Sequence, residues 1–294
     1  MDLSHCMLCP RLCGADRTNG DLGYCRAGGK IKIARSALHF WEEPCISGER
    51  GSGTVFFSHC TMKCVFCQNY DISTQNKGRT VSVDELSECF LDLQSQGANN
   101  INLVTPTHFV PLIIKALDTA KTNGLTLPVL YNTSGYETVE TIKALNGYID
   151  IYMPDIKYFD NKYAVKYSNA PDYFSIAKAA IREMFRQVGK PVFDENGIMQ
   201  KGVIIRHLML PGLLFDTKKI MDYIFSEYKN SVYVSLMSQY TPLEHIKRFP
   251  ELLRKLNPKH YEAMINYCAE LGMENVYIQD GESANKCFIP PFEE

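Results

Sequence analysis

The sequence predicts an α/β fold: a partial (β/α)6 barrel around a parallel sheet, with a small Cys-rich segment at its N-terminus. Three observations carry this reading. From residue 53 onward, short apolar runs alternate with amphipathic helices about six times, the pattern of a parallel sheet with right-handed crossovers. The helices carry start and stop signals at matching positions. A closed eight-unit barrel takes roughly 250 residues, whereas only about 225 follow the first strand's cysteines, and these include an insertion.

The elements follow in order. Residues 54–57 form the first apolar run. Ser82 and Glu85 have capping-box spacing, and the helix they open places Leu86, Phe90 and Leu93 on one stripe and stops near Gly97. A strand at 101–104 precedes a helix carrying Val110, Ile113, Ile114 and Leu117 that ends at Gly124. Strands at 127–131 and 149–153 flank a helix at 139–145. Asp172 can cap a helix with Ile176, Ala180, Met184 and Val188 inward and Gly189 beyond its end. Within 191–202, the Asn196-Gly197 pair predicts a hairpin insertion. Strands at 203–208 and 232–236 enclose a helix at 220–228. Asn257-Pro258 opens a last helix, with Tyr261, Met264, Ile265, Cys268 and Leu271 on one face and Gly272 as its stop. A short run at 276–278 closes the pattern. Residues 1–50 show no lasting period. The expected organisation is therefore a Cys-rich segment at 1–52 and a barrel with a C-terminal helical extension at 53–294.

Composition excludes several classes. Net charge is −2, and the basic residues are scattered without interleaved aromatics, which argues against nucleic acid. No apolar run approaches the ~20 residues of a membrane helix, and the N-terminus lacks a signal-peptide apolar region. A cytoplasmic location is expected. In a reducing compartment the eleven cysteines then point to metal or catalysis rather than disulfides. Seven fall in two clusters: Cys6, Cys9, Cys13 and Cys25, then Cys60, Cys64 and Cys67. Of the isolated Cys45, Cys89, Cys268 and Cys287, the second and third lie on apolar helix faces and read as small buried hydrophobes.

The second cluster follows the first strand directly, at the edge where such sheets place function. Three cysteines at this spacing arise by chance about 0.015 times in a chain of this composition. Structural zinc takes four closed ligands, usually as two pairs. Three thiolates in one loop suit a cubane cluster with one iron open. His59 adjoins the triad, but its neighbour already supplies a ligand.

The segment Cys60-Thr-Met-Lys-Cys64-Val-Phe66-Cys67 resembles the signature of the radical S-adenosylmethionine superfamily. The resemblance implies a radical SAM barrel with a [4Fe–4S] cluster on Cys60, Cys64 and Cys67. It also implies S-adenosylmethionine chelated to the open iron and reductive cleavage to methionine and a 5′-deoxyadenosyl radical. An external donor such as flavodoxin or ferredoxin would supply the electron. Phe66 stands where the family carries an aromatic residue beside the adenine.

Later strand ends extend the resemblance towards proteins related to the pyruvate formate-lyase activating enzyme. Thr105-Pro106-Thr107-His108 stands where those enzymes carry Gly-Gly-Glu, a departure that leaves Thr105 and Thr107 as candidate acceptors for the methionine amine, with a helix N-cap as the other reading of Thr107. Asn132-Thr133-Ser134-Gly135 resembles the family's Asp/Asn-Thr-Asn-Gly, and Asp155-Ile156-Lys157 resembles its Asp-x-Lys pair. An acid and an amine two apart on an extended segment point the same way. Arg206 interrupts a buried strand and needs an anionic partner, either the methionine carboxylate or Asp155. His207 beside it reads as structural. Gln239 is a candidate for the ribose or adenine.

The first cluster puts four thiols within a Gly-rich stretch of twenty residues, Cys6 to Cys25, where zinc and a second Fe–S cluster are both open readings. Three functions remain at this level: an activating enzyme that makes a glycyl radical on a partner enzyme, a radical enzyme acting on a small molecule or peptide, and a non-catalytic Fe–S carrier or redox sensor.

Overall fold

The computed structural model describes residues 2–243 and 246–279; Cys287 lies outside them. Its elements in chain order are β1 (Ile31–His39), α1 (Pro44–Ser47), β2 (Ser52–Phe57), α2 (Tyr70–Ser73), β3 (Arg79–Val81), α3 (Val83–Ser95), β4 (Ile101–Val104), α4 (Val110–Thr122), β5 (Val129–Thr133) and α5 (Val139–Ala144). They continue as β6 (Ile151–Pro154), α6 (Asn161–Ser168), α7 (Tyr173–Val188), β7 (Val192–Phe193), β8 (Met199–Leu208), α8 (Leu214–Tyr228), β9 (Tyr233–Met237), α9 (Pro258–Glu270) and β10 (Val276–Ile278). The strands lie in the order β10-β9-β8-β6-β5-β4-β2-β1-β3, with β7 paired to β8. From β2 to β10 every neighbouring pair is parallel. β1 and β3 add an antiparallel edge beside β2. Among the described residues the sheet is open, with β10 and β3 at its ends.

The local signals act as their chemistry requires. Ser82 accepts from the Glu85 amide at 3.1 Å while Glu85 accepts from the Ser82 amide at 2.6 Å, a complete capping box. Asn257 caps α9 through the Lys259 amide at 3.0 Å. The 191–202 insertion is an antiparallel β7–β8 hairpin, with Gly197 at φ +74° in its turn. Asp172 does precede α7, but in the left-handed region at φ 55° and without a side-chain cap bond. Two strands sit later than their apolar runs suggest, Val129–Thr133 and Ile151–Pro154. Pro128 has no amide to donate at the start of the first run, and the polar pair Asn132-Thr133 continues the ladder opposite Met153 and Pro154.

The N-terminal segment departs most from expectation. Residues 31–39 were expected to lack a strand period, yet they form a nine-residue strand whose Ile31 and Ile33 are buried in the main core with Cys25 and Ala27. The boundary between residues 52 and 53 therefore falls inside β2, one residue from its start, and β2 pairs with β1 along six registered positions. β1 is masked in the sequence because Lys32, Arg35 and Ser36 interrupt its apolar residues. No helix among the described residues is long and apolar enough to cross a membrane.

Strand alternation positions the site. One face of the sheet carries Val129 and Tyr131 of β5 and Val203 and Ile205 of β8 into the helix layer. The opposite face begins with a small apolar layer, Leu130, Ile151, Met153 and Ile204 with Ile46 of α1. Two residues further along the same strands, this face turns polar: Asn132, Asp155 and Arg206 line a cavity.

Candidate active site

The second cysteine cluster occupies the loop after β2. His59 and Lys63 take the left-handed conformation there, at φ 75° and 54°, a strained choice for non-glycine residues that turns the chain at each side of Cys60. The Val65 amide donates to the Tyr167 carbonyl at 2.9 Å, and the Cys67 amide to the Cys64 carbonyl at 3.1 Å. Each sulfur of the triad accepts a hydrogen bond: Cys60 from the Met62 amide at 3.4 Å, Cys64 from the Ser168 hydroxyl at 3.0 Å, and Cys67 from the Ser73 hydroxyl at 3.4 Å. Burial pushes the Cys64 thiol up to about 12, with Lys157 opposing, and burial also raises Cys67. Donors aimed at sulfur and a burial penalty on the free thiolate fit a site that ionises when it takes up a metal centre. Among the described residues no three His, Cys, Asp or Glu side chains converge on a single ion. A cubane instead spreads its thiolates over separate irons.

Cys64 and Cys67 open into a cavity of ≈ 330 Å³ whose wall includes Phe66, Asn132, Asp155, Lys157, Arg206 and Gln239. Phe66 is held edge-on by Tyr158 and Tyr240, with centroids 6.4 and 6.3 Å away. Lys157 Nζ lies 2.5 Å from Asp155 Oδ2, and Arg206 Nε lies 3.2 Å from Asp155 Oδ1. The side chains of this pair are only 11% and 18% exposed, so it is not a solvated surface contact. Burial alone would raise Asp155, but Lys157 and then Arg206 outweigh it and hold the carboxyl below its ordinary value. Burial is likewise outweighed at Lys157, where Asp155 and then Cys64 hold the ammonium above its usual range.

Arg206 also reaches Asn132 Oδ1 at 2.6 Å and Glu42 Oε2 at 3.2 Å. Glu42 is a residue that the sequence reading missed. It comes from the loop between β1 and α1 and receives Asn102 Nδ2 at 3.0 Å and Asn132 Nδ2 at 3.4 Å. The adjacent Trp41 and His39 line the same cavity. The available signal was Arg206 itself, a buried cation calling for more negative charge than Asp155 supplies. His207 is structural as expected, bonded to the Ile156 carbonyl and the Thr217 hydroxyl.

Three expected cofactor residues are not among those lining the cavity. Thr105 sits at φ 59°, its amide donating to the Asn132 carbonyl. Thr133 turns to the opposite face, where it and Thr107 both donate to Glu137 Oε1. Thr107 therefore anchors a buried carboxylate rather than capping a helix. Ser134 offers its carbonyl to Tyr173 at 2.7 Å. Period-two alternation is the reason for Thr133: if Asn132 faces the cavity, its neighbour cannot.

Residues 54–224, more than half of the chain, match the sequence profile described as the Radical SAM superfamily. The chain belongs to the radical SAM superfamily. The family carries a [4Fe–4S] cluster and S-adenosylmethionine, and the triad, its sulfur donors and the adjoining polar cavity fit both. Over 283 residues the chain is 29% identical to an uncharacterised protein of Methanocaldococcus jannaschii, covering 93% of this chain and 77% of that one. Among solved structures it is similar to SuiB of Streptococcus suis bound to the precursor peptide SuiA, at 13% identity and TM-score 0.48. That match covers 74% of this chain and 46% of SuiB, so the chain spans about half the length of that relative. It is also similar to methylornithine synthase, at 15% identity and TM-score 0.44, covering 74% of this chain and 67% of that one.

The N-terminal cysteines gather beside this site. Cys6, Cys9 and Cys25 are buried and Cys13 is exposed. Burial pushes the Cys9 thiol up to about 12 and also raises Cys25. Cys13 is held below its ordinary value despite burial, because the Ala15 and Tyr24 amides donate to it.

Proposed function

We propose that this radical SAM protein cleaves S-adenosylmethionine reductively and uses the resulting radical to activate a partner enzyme by forming a glycyl radical. The supporting observation is the Asp155–Lys157–Arg206 constellation at the ends of β6 and β8, in one cavity with Cys64 and Cys67. In this reading Cys60, Cys64 and Cys67 hold the cluster. When bound, the reduced cluster and S-adenosylmethionine would together supply one primary carbon radical that abstracts hydrogen, the cluster's electron being spent on the cleavage that releases methionine.

The chain's own residues bind and orient. Asp155, kept ionised by its two cations, accepts from an ammonium; Lys157 and Arg206 present donors to a carboxylate. An amino-acid moiety thus exchanges partners with a network that is already charge-balanced, which limits the desolvation cost of binding. Asn132 offers an amide to the same ligand, Phe66 an aromatic face to the adenine, and Gln239 a polar edge to the ribose or adenine. A reduced flavodoxin or ferredoxin is the proposed electron donor.

The test incubates reduced, iron-reconstituted protein with S-adenosylmethionine and a candidate partner that carries a C-terminal glycyl-radical domain. A glycyl EPR doublet on the partner supports the activating role. Formation of 5′-deoxyadenosine without that signal on any candidate overturns it in favour of a small-molecule or peptide substrate.

A further inference from the structure

Arg17 is the most buried cation of the N-terminal segment, 1% exposed. Its guanidinium donates to the Gly28 carbonyl at 3.0 and 2.7 Å, to the His108 carbonyl at 2.7 Å, and to Cys6 Sγ at 3.6 Å. Among the described residues it forms no ion pair with a carboxylate. A buried cation without a counter-charge is costly. The sulfur of Cys6 is the side-chain group in contact with this guanidinium that could carry negative charge as a metal ligand.

The other three sulfurs accept backbone amides. Cys25 Sγ accepts from the Ala27 amide at 3.4 Å, Cys9 from the Arg11 amide, and Cys13 from the Ala15 and Tyr24 amides. The Cys25 contact has the same i to i+2 form as Cys60 with the Met62 amide in the triad loop. Gly23 leaves room between two of the sulfurs, since a Cβ there would lie 3.3 Å from Cys25 Sγ and 3.5 Å from Cys13 Sγ.

The block also docks on the triad loop. Arg11 Nε donates to the Thr61 carbonyl at 2.9 Å, and Arg11 Nη2 to the carbonyl of Ser168, the residue whose hydroxyl bonds Cys64. Lys63 Nζ donates to the Tyr24 carbonyl, next to Cys25, at 2.6 Å, while Lys63 itself precedes Cys64 in the triad loop. We propose that Cys6, Cys9, Cys13 and Cys25 hold a second iron–sulfur cluster, with Arg17 as its buried counter-cation and Lys63 as the cation shared with the triad centre.

The experiment uses the full chain, reconstituted anaerobically with ferrous iron and sulfide, and reads iron, sulfide and zinc content together with EPR after reduction. The triple variant Cys60→Ala/Cys64→Ala/Cys67→Ala should keep about four irons and four sulfides per chain and a reduced-cluster signal. Cys13→Ser, a change at an exposed position, should lose about half of the wild-type iron while the triad's signal stays. Arg17→Gln should lose the same half, and Arg17→Lys should restore part of it. Lys63→Gln should move both midpoint potentials negative. A triple variant that holds no iron, or zinc alone, overturns the proposal, as does a Cys13→Ser protein with full wild-type iron. The triple variant removes the radical-forming site and Cys13→Ser spares it, so failure here is separable from failure of the proposed function.

Discussion

At the scale of single residues, the site rests on buried charges that balance one another. Arg206→Met would leave Asp155 and Glu42 short of their shared cation, a loss of about 3–5 kcal/mol by urea unfolding. An unchanged unfolding midpoint would show that these contacts are slack. Glu137 makes a second residue-scale prediction. Burial pushes its carboxyl from 4.5 up to about 7, and the bonds from Thr107 and Thr133 only partly offset this. The raised acid contributes stability that is full below pH 4.5, where both states are protonated, and that is lost as pH rises towards 7. The unfolded chain sheds its proton across that window while the folded one keeps it. Wild type should therefore lose roughly 3 kcal/mol between those limits relative to Glu137→Gln, and parallel pH profiles for the two proteins would contradict it. Asp155, Lys157 and Arg206 were legible in sequence because charge inside apolar runs is conspicuous. Glu42 was not, since nothing local distinguishes a loop acid that folds in from one that stays in water.

At the scale of elements, β2 and β4 determine where the triad sits. Gly53 is needed at their contact, because a Cβ there would meet the Asn100 carbonyl at 2.8 Å and Ala98 Cβ at 2.9 Å. Gly53→Ala should cost about 1–3 kcal/mol and lower iron retention, measured together on one preparation. Ser82→Ala should cost about 1 kcal/mol without touching iron content, because it removes only the cap of α3. The parallel strands could be read from sequence because each is an apolar run bounded by turn or cap residues. β1 could not, because its alternation follows a Gly- and Cys-rich stretch and is broken by Lys32, Arg35 and Ser36. Strand ends were misplaced where polar residues such as Asn132 and Thr133 belong to the ladder rather than to the loop.

At the scale of the whole molecule, the first fifty residues are part of the architecture and not an attachment to it. They supply β1, the Glu42 loop on the cavity and the cysteine block against the triad loop. Deleting residues 1–52 should expose the edge of β2 and yield insoluble protein. A soluble truncated chain with the wild-type unfolding midpoint would contradict this. In the proposed function, the triad and the polar strand ends form one site for S-adenosylmethionine. Its most direct test is the yield of 5′-deoxyadenosine from reduced, iron-reconstituted protein beside its Cys64→Ala variant. The wild type should form it and the variant should not; equal formation by both, or none by an iron-loaded wild type, would show that the two do not make one site.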